Sequence, residues 1–410
     1  NGVRESYAKM FLTLWNVHKF YSDYASLDNF DPEDKESFVN IKERSHLDKW
    51  ILSRMTTVAE NYHENFVSWD FHKAGRELEN FVINDLSNWY VRRSRRRLWN
   101  EDQSNDKRSC QHTLHEVLLT VCRLMAPVSP FIPDQIHRDL TGHSVHLADW
   151  PVGSNLVERS LPPQNWVLEQ EMALVRKLAE TGRRVRVEAG RRQRLPCKSG
   201  WIVGGPDISE FHEILAEELN VESLTTEEDL DRFQKIDIAP NRKSLGKKCR
   251  QDLPAVLELL ENADPDNILL EIEAEICILE GYDITMEDIE IKRVEKENFA
   301  AATISIEEIG DVSLVLDISL NEQLISKGLA RDIIRHVQAK RKEINLDVEA
   351  LIELNVWIEP DELLFDNDWS HIQIETRAGN AGINQGDIPE EIGNFEVDGI
   401  EVNFSVKEIN

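Results

Sequence analysis

Apolar residues recur every three or four positions along the first half of the chain. Tyr7, Met10, Phe11, Leu14, His18 and Tyr21 fall on one stripe, and Leu47, Ile51, Met55, Val58, Tyr62 and Phe66 repeat it. That spacing belongs to helices with one packed face. The same period predicts a third helix from about Ser68 to Trp99, a fourth from Thr113 to Met125, and a short fifth opening at Pro133, where proline suits a first turn. The opening 150 residues read as an all-α helical bundle.

Beyond Asp149 the period breaks. The stretch A-D-W-P-V-G-S-N-L-V-E-R-S-L-P-P-Q-N-W carries three prolines and little periodicity, which predicts a linker near 150–165. A helix to about Ala189 follows. Short β-branched runs come next: W-I-V-G, I-E-I-K-R-V, D-V-S-L-V-L-D-I and A-L-I-E-L-N-V-W-I. Leu270, Ile272, Ala274, Ile276 and Ile278 alternate with Glu271, Glu273, Glu275 and Cys277, the pattern of a half-buried antiparallel strand. Helices at about 206–219, 250–262 and 320–344 punctuate the strands. The expected fold class is multi-domain: a helical bundle over 1–150, a linker and basic joining helix over 151–200, and an acidic α+β region over 201–410, open to division into two small modules. No internal repeat or low-complexity tract is visible.

At 410 residues and 41% hydrophobic, the chain can bury more than one core. No apolar run approaches the roughly 20 residues of a spanning helix, since V-L-L-T-V-C-R-L-M is interrupted by Arg123. A membrane partner is not expected. The first residues hold neither an initiator Met nor a signal pattern, so the chain reads as cut from something longer. Cysteines 110, 122, 197, 249 and 277 form no C-x-x-C pair, which favours a reducing cytoplasm over a disulfide framework. Cys110, His112, His115 and Cys122 have no familiar zinc spacing, so no metal site is expected.

The net charge of -29 argues against a polyanionic partner until it is divided: residues 1–200 carry +2 and residues 201–410 carry -31. Local patches, not totals, attract phosphates. Within N-D-L-S-N-W-Y-V-R-R-S-R-R-R-L-W, residues 84–99, five arginines occupy six positions beside three aromatics. Turning each residue by about 100°, with Leu78, Val82, Leu86 and Trp89 on the apolar face, points Arg95 away, leaves Arg92 and Arg97 on the flanks and brings Arg93 and Arg96 inward. A planar guanidinium grips two phosphate oxygens at once, and aromatic neighbours can stack bases. Arg92, Arg95 and Arg97 are therefore the phosphate candidates. Arg93 and Arg96 are expected to pair with core-side acids such as Asp85, and Trp89 to lie in the core.

These residues carry a resemblance. N-W-Y-V-R-R-S-R-R-R-L-W, preceded by L-T-L-W-N and L-D-K-W-I-L-S-R and followed by M-A-P-V-S-P-F-I-P and V-H-L-A-D-W-P, resembles isoleucyl-tRNA synthetase of the archaeal and eukaryotic type. The likeness continues through A-E-T-G-R-R-V-R-V-E-A-G-R-R-Q-R-L-P, A-P-N-R-K-S-L-G-K-K and G-L-A-R-D-I-I-R-H-V-Q-A-K-R-K. It implies that the bundle holding Trp15, Asn16, Trp50, Asn88 to Arg97 and Pro127 to Phe131 is a class I anticodon-binding domain, with Asn88 and Tyr90 joining the arginines at the RNA. It also implies a parent ligase that uses ATP and magnesium to join isoleucine to its tRNA in the cytoplasm. The class I signatures H-x-G-H and K-M-S-K-S occur nowhere here. This piece is therefore expected to be inactive by itself, to hold no cofactor, and to act as a monomer beside the catalytic and editing domains of its own chain.

Two further basic blocks stand out. Arg183, Arg184, Arg186, Arg191, Arg192, Arg194 and Lys198 could track RNA backbone or form a solvated helix face. Arg242, Lys243, Lys247, Lys248 and Arg250 lie in a stretch without acids, read as a turn marked by Pro240 and Gly246, and fall in the tRNA-binding extension that the resemblance implies. The rival reading is a free-standing scaffold whose acidic half binds proteins; a start codon just before residue 1 would favour it.

Overall fold

The computed structural model describes residues 7–34, 38–99, 102–152, 162–273, 278–279, 281–347, 350–384 and 392–409. The chain divides into two compact units, Asn1–Leu174 and Val175–Asn410.

The first unit is the helical bundle. Helix α1 spans Leu12–Leu27, α2 His46–Val67 and α3 Phe71–Asn80, which runs through a π-helical stretch, Phe81–Val91, into α4, Arg92–Trp99. Then come α5, Asn105–Met125, and α6, Phe131–Thr141. Side-chain caps explain two of the starts: Ser45 Oγ accepts from Asp48 N–H at 3.2 Å and Ser104 Oγ from Lys107 N–H at 3.2 Å. The second cap starts α5 well before Thr113. Trp50, Ile51, Met55, Phe81, Leu86, Tyr90, Leu114 and Val121 are buried between the helices. The division falls inside α7, Trp166–Glu188, and thus within the segment 151–200 expected to join the domains. Its first turns pack on the bundle through Glu169, which accepts from Ser53 and Thr57 hydroxyls at 2.6 and 2.8 Å. Of the expected linker, residues 153–161 lie outside the described residues.

The second unit contains two modules with one topology. In the first, β1 (Cys197–Val203) leads through α8 (His212–Leu219) to a parallel neighbour, β2 (Val221–Glu227); the hairpin β7 (Phe299–Ile306) and β8 (Gly310–Asp317) completes a sheet of order β2-β1-β8-β7. In the second, β9 (Ile352–Ile358) leads through α13 (Asp366–Thr376) to parallel β10 (Ala378–Ile383), and the hairpin β11 (Gly393–Val397) and β12 (Ile400–Glu408) gives the order β10-β9-β12-β11. A long helix precedes each sheet, α7 in the first case and α12, Glu322–Glu343, in the second. The chain thus contains a structural repeat that the sequence reading did not find.

One buried arginine marks the repeat. Arg186 and Arg341 each lie eleven residues before the first strand of their module and are 1% and 5% exposed. Arg186 donates to the carbonyls of Leu219 (2.6 Å), Asn220 (2.8 Å) and Leu195 (2.7 Å). Arg341 donates to those of Thr376 (2.9 Å), Ala350 (2.9 Å) and Asp347 (3.0 Å). Leu219 and Thr376 are the last residues of α8 and α13, so each guanidinium satisfies carbonyls left over at the negative end of a helix. No carboxylate is needed where so many oxygens converge. Arg186, read from sequence as part of a basic block, is a core residue.

Between β2 and β7 the first module carries an insertion with its own core of Ile238, Leu245, Val256, Leu260, Ile268, Ile284 and Ile289. Here β3 (Gln234–Pro240) pairs with β6 (Ile289–Glu295), and three helices follow β3: α9 (Arg242–Cys249), α10 (Leu253–Asn262) and α11 (Pro265–Glu273). The two-stranded pair β4 (Ile278–Leu279) and β5 (Tyr282–Asp283) lies between α11 and β6. Two expectations fail in this insertion. Residues 270–273 form helix, not strand: Ile268 and Ile272 share the buried face of α11, a spacing of four that both periods allow. Of the remaining alternation, Ala274 to Cys277 lie outside the described residues. The basic run after Asn241 is also a helix, nucleated by the Asn241 side chain accepting from the N–H groups of Lys243 and Ser244.

Candidate nucleic-acid interface

The arginine helix follows the π-helical stretch, and this decides its exposed face. In a π turn the N–H reaches five residues back, as from Arg92 to Ser87 O, so each residue advances the helix by less than 100°. By the end of the stretch the side chains lag the ideal wheel by about one position. Arg96, expected inward, is exposed, and Arg97 takes the inward place.

The consequences for Arg97 and Tyr90 are structural. Arg97 forks onto the fully buried Asp48 at 2.9 and 2.7 Å and pairs with Asp106 at 2.8 Å. Tyr90, 0% exposed, donates to the same Asp48 carboxylate at 2.5 Å, and burial followed by the Asp48 charge raises its pKa well above the ordinary phenol value. Neither side chain is free to meet RNA as anticipated, because a buried carboxylate holds both. Asp85 pairs with Arg54 at 3.1 Å, so Arg54 on α2 supplies the core ion pair anticipated from Arg96. Trp89 is buried as expected, its indole N–H directed at Met172 sulfur, while Arg93 is half-buried with its guanidinium 5.9 Å from the Trp89 ring.

What remains outside is a stripe of Asn88, Arg92, Arg95, Arg96 and Trp99, all exposed. Arg92 lies 5.7 Å from the Trp89 ring and bonds back to Asn88 O at 2.9 Å, which extends its head over an aromatic surface. Tyr24 on α1 joins the stripe. Burial raises its pKa, a hydrogen bond to Trp99 lowers it, the Asp23 charge raises it and the Arg95 charge lowers it, so one acid shares this surface with the cation and the rings. Cations and flat rings on one surface can hold phosphates and cover bases.

Much of the second basic block is paired within the protein, while Arg183, Arg184 and Lys198 stay exposed. Arg183 pairs with Glu218 at 3.3 Å, and Arg184 approaches Glu188 at 3.9 Å. Arg191 donates to Ile318 O. Arg192 spans Asp332 and Asp398, both at 2.6 Å, and Arg194 reaches Asp332 at 3.2 Å. Arg192 and Arg194 thus fasten the α7–β1 turn to α12, and Arg192 also to the β11–β12 turn. Of the third block, Lys243, Lys247 and Lys248 line an open cleft of about 510 Å³ with Asn241, Ser244 and Glu287, and Arg242 and Arg250 are exposed outside that lining. Lys248 there is paired with the buried Asp288 at 2.8 Å, whereas Lys243 and Lys247 are exposed.

The Cys110 to Cys122 segment has separate tasks. The Cys110 thiol lies 3.6 Å from the Tyr90 hydroxyl, His112 meets Phe30 edge-on at 4.8 Å, and His115 bonds the Tyr21 hydroxyl at 3.2 Å. Burial, then the charges of His112, Arg123 and His137, push the His115 pKa down to about 4. Among the described residues no three His, Cys, Asp or Glu side chains gather as metal ligands. Nor is any helix long and apolar enough to cross a membrane. The sequence reading also missed Trp69 and Phe71, 80% and 45% exposed, with ring centroids 5.7 Å apart at the α2–α3 turn. Periodicity could not find them, because Trp69 sits at a left-handed backbone position, φ 64°, between helices.

Residues 48–199 match the family described as the anticodon-binding domain of tRNA ligase. The chain is 33% identical over 361 residues to an isoleucine–tRNA ligase of Bacillus thuringiensis (strain Al Hakam), an alignment covering 86% of this chain and 33% of that protein. It is 33% identical over 351 residues to the isoleucine–tRNA ligase of Methanocaldococcus jannaschii, covering 85% of the chain and 32% of the relative. For the isoleucine–tRNA ligase of Clostridium novyi the identity is 31% over 392 residues, 92% and 36% of the two chains. The chain thus spans about a third of the length of these relatives, and the likeness is not confined to the archaeal and eukaryotic type.

Proposed function

We propose, from the chain's place as the C-terminal, anticodon-binding region of isoleucine–tRNA ligases, that it holds isoleucine tRNA by the anticodon arm and orients it for a catalytic core elsewhere in the ligase. That core would use ATP and magnesium to activate isoleucine, in the cytoplasm and within one monomeric chain that also carries the editing domain. Neither class I ATP signature occurs in these 410 residues, so the present chain contributes recognition and positioning. The observation that carries the proposal is the exposed Asn88–Arg92–Arg95–Arg96–Trp99 stripe within the matched segment. The buried Arg97–Asp48 fork holds it in place from below.

Titration of the chain with isoleucine tRNA and a non-cognate tRNA across a salt series tests this. The cognate tRNA should bind more tightly. Arg95→Ala and Arg96→Ala should each lower the salt slope by about one unit and change stability by only about 0.5 kcal/mol or less. Arg97→Ala should unfold the bundle more easily by about 3 to 5 kcal/mol, since it strands a buried carboxylate. Equal affinity for both tRNAs, or salt slopes unchanged in both surface variants, would remove the stripe from the interface.

A further inference from the structure

Tyr24, half-buried near the end of α1, is held from three sides. Its ring lies 5.0 Å from that of Phe20 one turn earlier, its carbonyl accepts from the Asp28 N–H at 3.1 Å, and its hydroxyl bonds the exposed Trp99 of α4. An indole N–H can only donate, so the Tyr24 oxygen is the acceptor of that bond. Its own proton is thereby directed elsewhere, and among the described residues no acceptor meets it. Burial outweighs the Trp99 bond and keeps the phenol pKa above its ordinary value, so the proton stays in place at neutral pH.

One carboxylate fixes the place of this donor. Asp28, directly after α1, accepts from Gln103 Nε2 at 2.9 Å, Lys107 Nζ at 2.7 Å and Gln111 Nε2 at 2.7 Å. Lys107 and Gln111 are buried, so the end of α1 is fastened to the first turns of α5. The charges around Tyr24 divide its surroundings. Asp23 is exposed and repels phosphate, whereas the exposed Arg95 and Arg96 attract it. A neutral acceptor is the better match for the Tyr24 proton. The edges of an unpaired base carry such acceptors, beside a flat face that the Trp99 ring can cover.

We propose that the Tyr24 hydroxyl, oriented by Trp99, donates to an acceptor on the edge of an unpaired RNA base and so selects among bases, which the arginines on phosphate cannot do. Phosphate contacts position an RNA, and base contacts specify it. A base presenting an amino group at that point sets two donors against each other and is rejected. Asp28 is a positioning residue, acting through the last turn of α1. The proposal rests on the reading that this surface holds the anticodon arm.

The test titrates the whole chain with the anticodon stem-loop of isoleucine tRNA and with stem-loops in which each loop base in turn is replaced by an analogue lacking one edge acceptor. Tyr24→Phe, which keeps the ring, should weaken binding of the parent stem-loop about fivefold. At one loop position the analogue should cost the unaltered chain about the same factor and cost Tyr24→Phe nothing. Arg95→Ala should differ, lowering the salt slope by about one unit while keeping the penalty at that analogue. Asp28→Asn, or the milder Gln103→Ala if the bundle loosens, should shrink that penalty selectively. A loss spread evenly over all loop positions would overturn the positioning role. Unchanged affinity of Tyr24→Phe for the parent stem-loop would overturn the proposal. A fivefold loss whose cost no base analogue shares would place the hydroxyl on the backbone and overturn it equally. If the unaltered chain binds no stem-loop, the anticodon reading falls and this proposal falls with it, whereas a stem-loop bound alike by both chains removes this proposal alone.

Discussion

The two α/β modules of the second unit share a strand order, a preceding helix and a buried arginine at matching positions, yet only the first is interrupted. Its β2–β7 connection holds a subdomain with its own hydrophobic core and the exposed Lys243 and Lys247 of the cleft. In the second module β10 and β11 are joined by residues 384–392 alone. Its core, with Leu329, Ile333, Val337, Ile352, Leu354, Val356, Ile372 and Phe404, is built mainly from the repeated elements. The difference teaches that the shared frame depends on helix packing and one guanidinium, while a subdomain with its own core is added where a connection can lengthen cheaply.

The largest effect should come from the arginines that define the frame. Arg186→Ala should destabilise the second unit by about 3 to 5 kcal/mol, because four carbonyls, those of Leu219, Asn220, Leu195 and Arg192, would lose a buried charged donor. Arg341→Ala should cost somewhat less, as Arg341 is the more exposed of the two. Lysine should not restore either, since a single ammonium cannot replace the fork. Urea unfolding followed by hydrogen exchange in each module measures the pair. Equal, negligible losses would break the equivalence.

Acid should separate the modules next. Burial raises the Asp288 pKa, but hydrogen bonds from Lys248, Ser244 and Thr285 outweigh it and hold the group down to about 2. Its stabilising contribution, about 2 kcal/mol, is complete above the unfolded value near 3.8 and is lost as pH falls towards 2. Amides of α9 should therefore gain exchange rate between pH 4 and 2 before those of β9 and β12. Simultaneous loss in both modules would show that the insertion has no acid-sensitive lock of its own.

A smaller effect is expected at Gly182, where α7 crosses α8. A Cβ there would meet Leu219 Cδ2 at 2.0 Å and Leu314 Cδ2 at 3.1 Å, whereas the position at the same offset in α12 is the buried Val337. Gly182→Ala should cost about 1 to 2 kcal/mol through overpacking, and Val337→Ala should cost a similar amount through a cavity. The opposite signs of the space change sharpen the comparison. A stabilised Gly182→Ala would mean that α7 can shift outward freely.

The smallest change in stability should follow excision of residues 236–293 with a short Gly-Ser bridge. Phe233, which packs with Trp201 and Phe299, is retained. The first module should keep its four-stranded sheet within about 1 kcal/mol. Loss of the β1–β8 pairing, followed by amide exchange, would show that the insertion is part of the frame.

Amino-acid order alone determined the helical bundle, the α+β class of the second half and most helix and strand locations, because burial on one face imposes a period that survives in sequence. It also identified the family through the arginine run. Tertiary structure decided which arginine faces where: a π-helical stretch shifts Arg96 out and Arg97 in, and no propensity scale predicts that lag. The partners were equally hidden. Arg192 and Arg194 meet Asp332 from far along the chain, and Asp85 meets Arg54, so a run of positive charge in sequence became internal ion pairs in space. The repeat escaped detection for the same reason. Strand order and the carbonyls around Arg186 and Arg341 are conserved in geometry, and geometry of that kind constrains only a few scattered side chains.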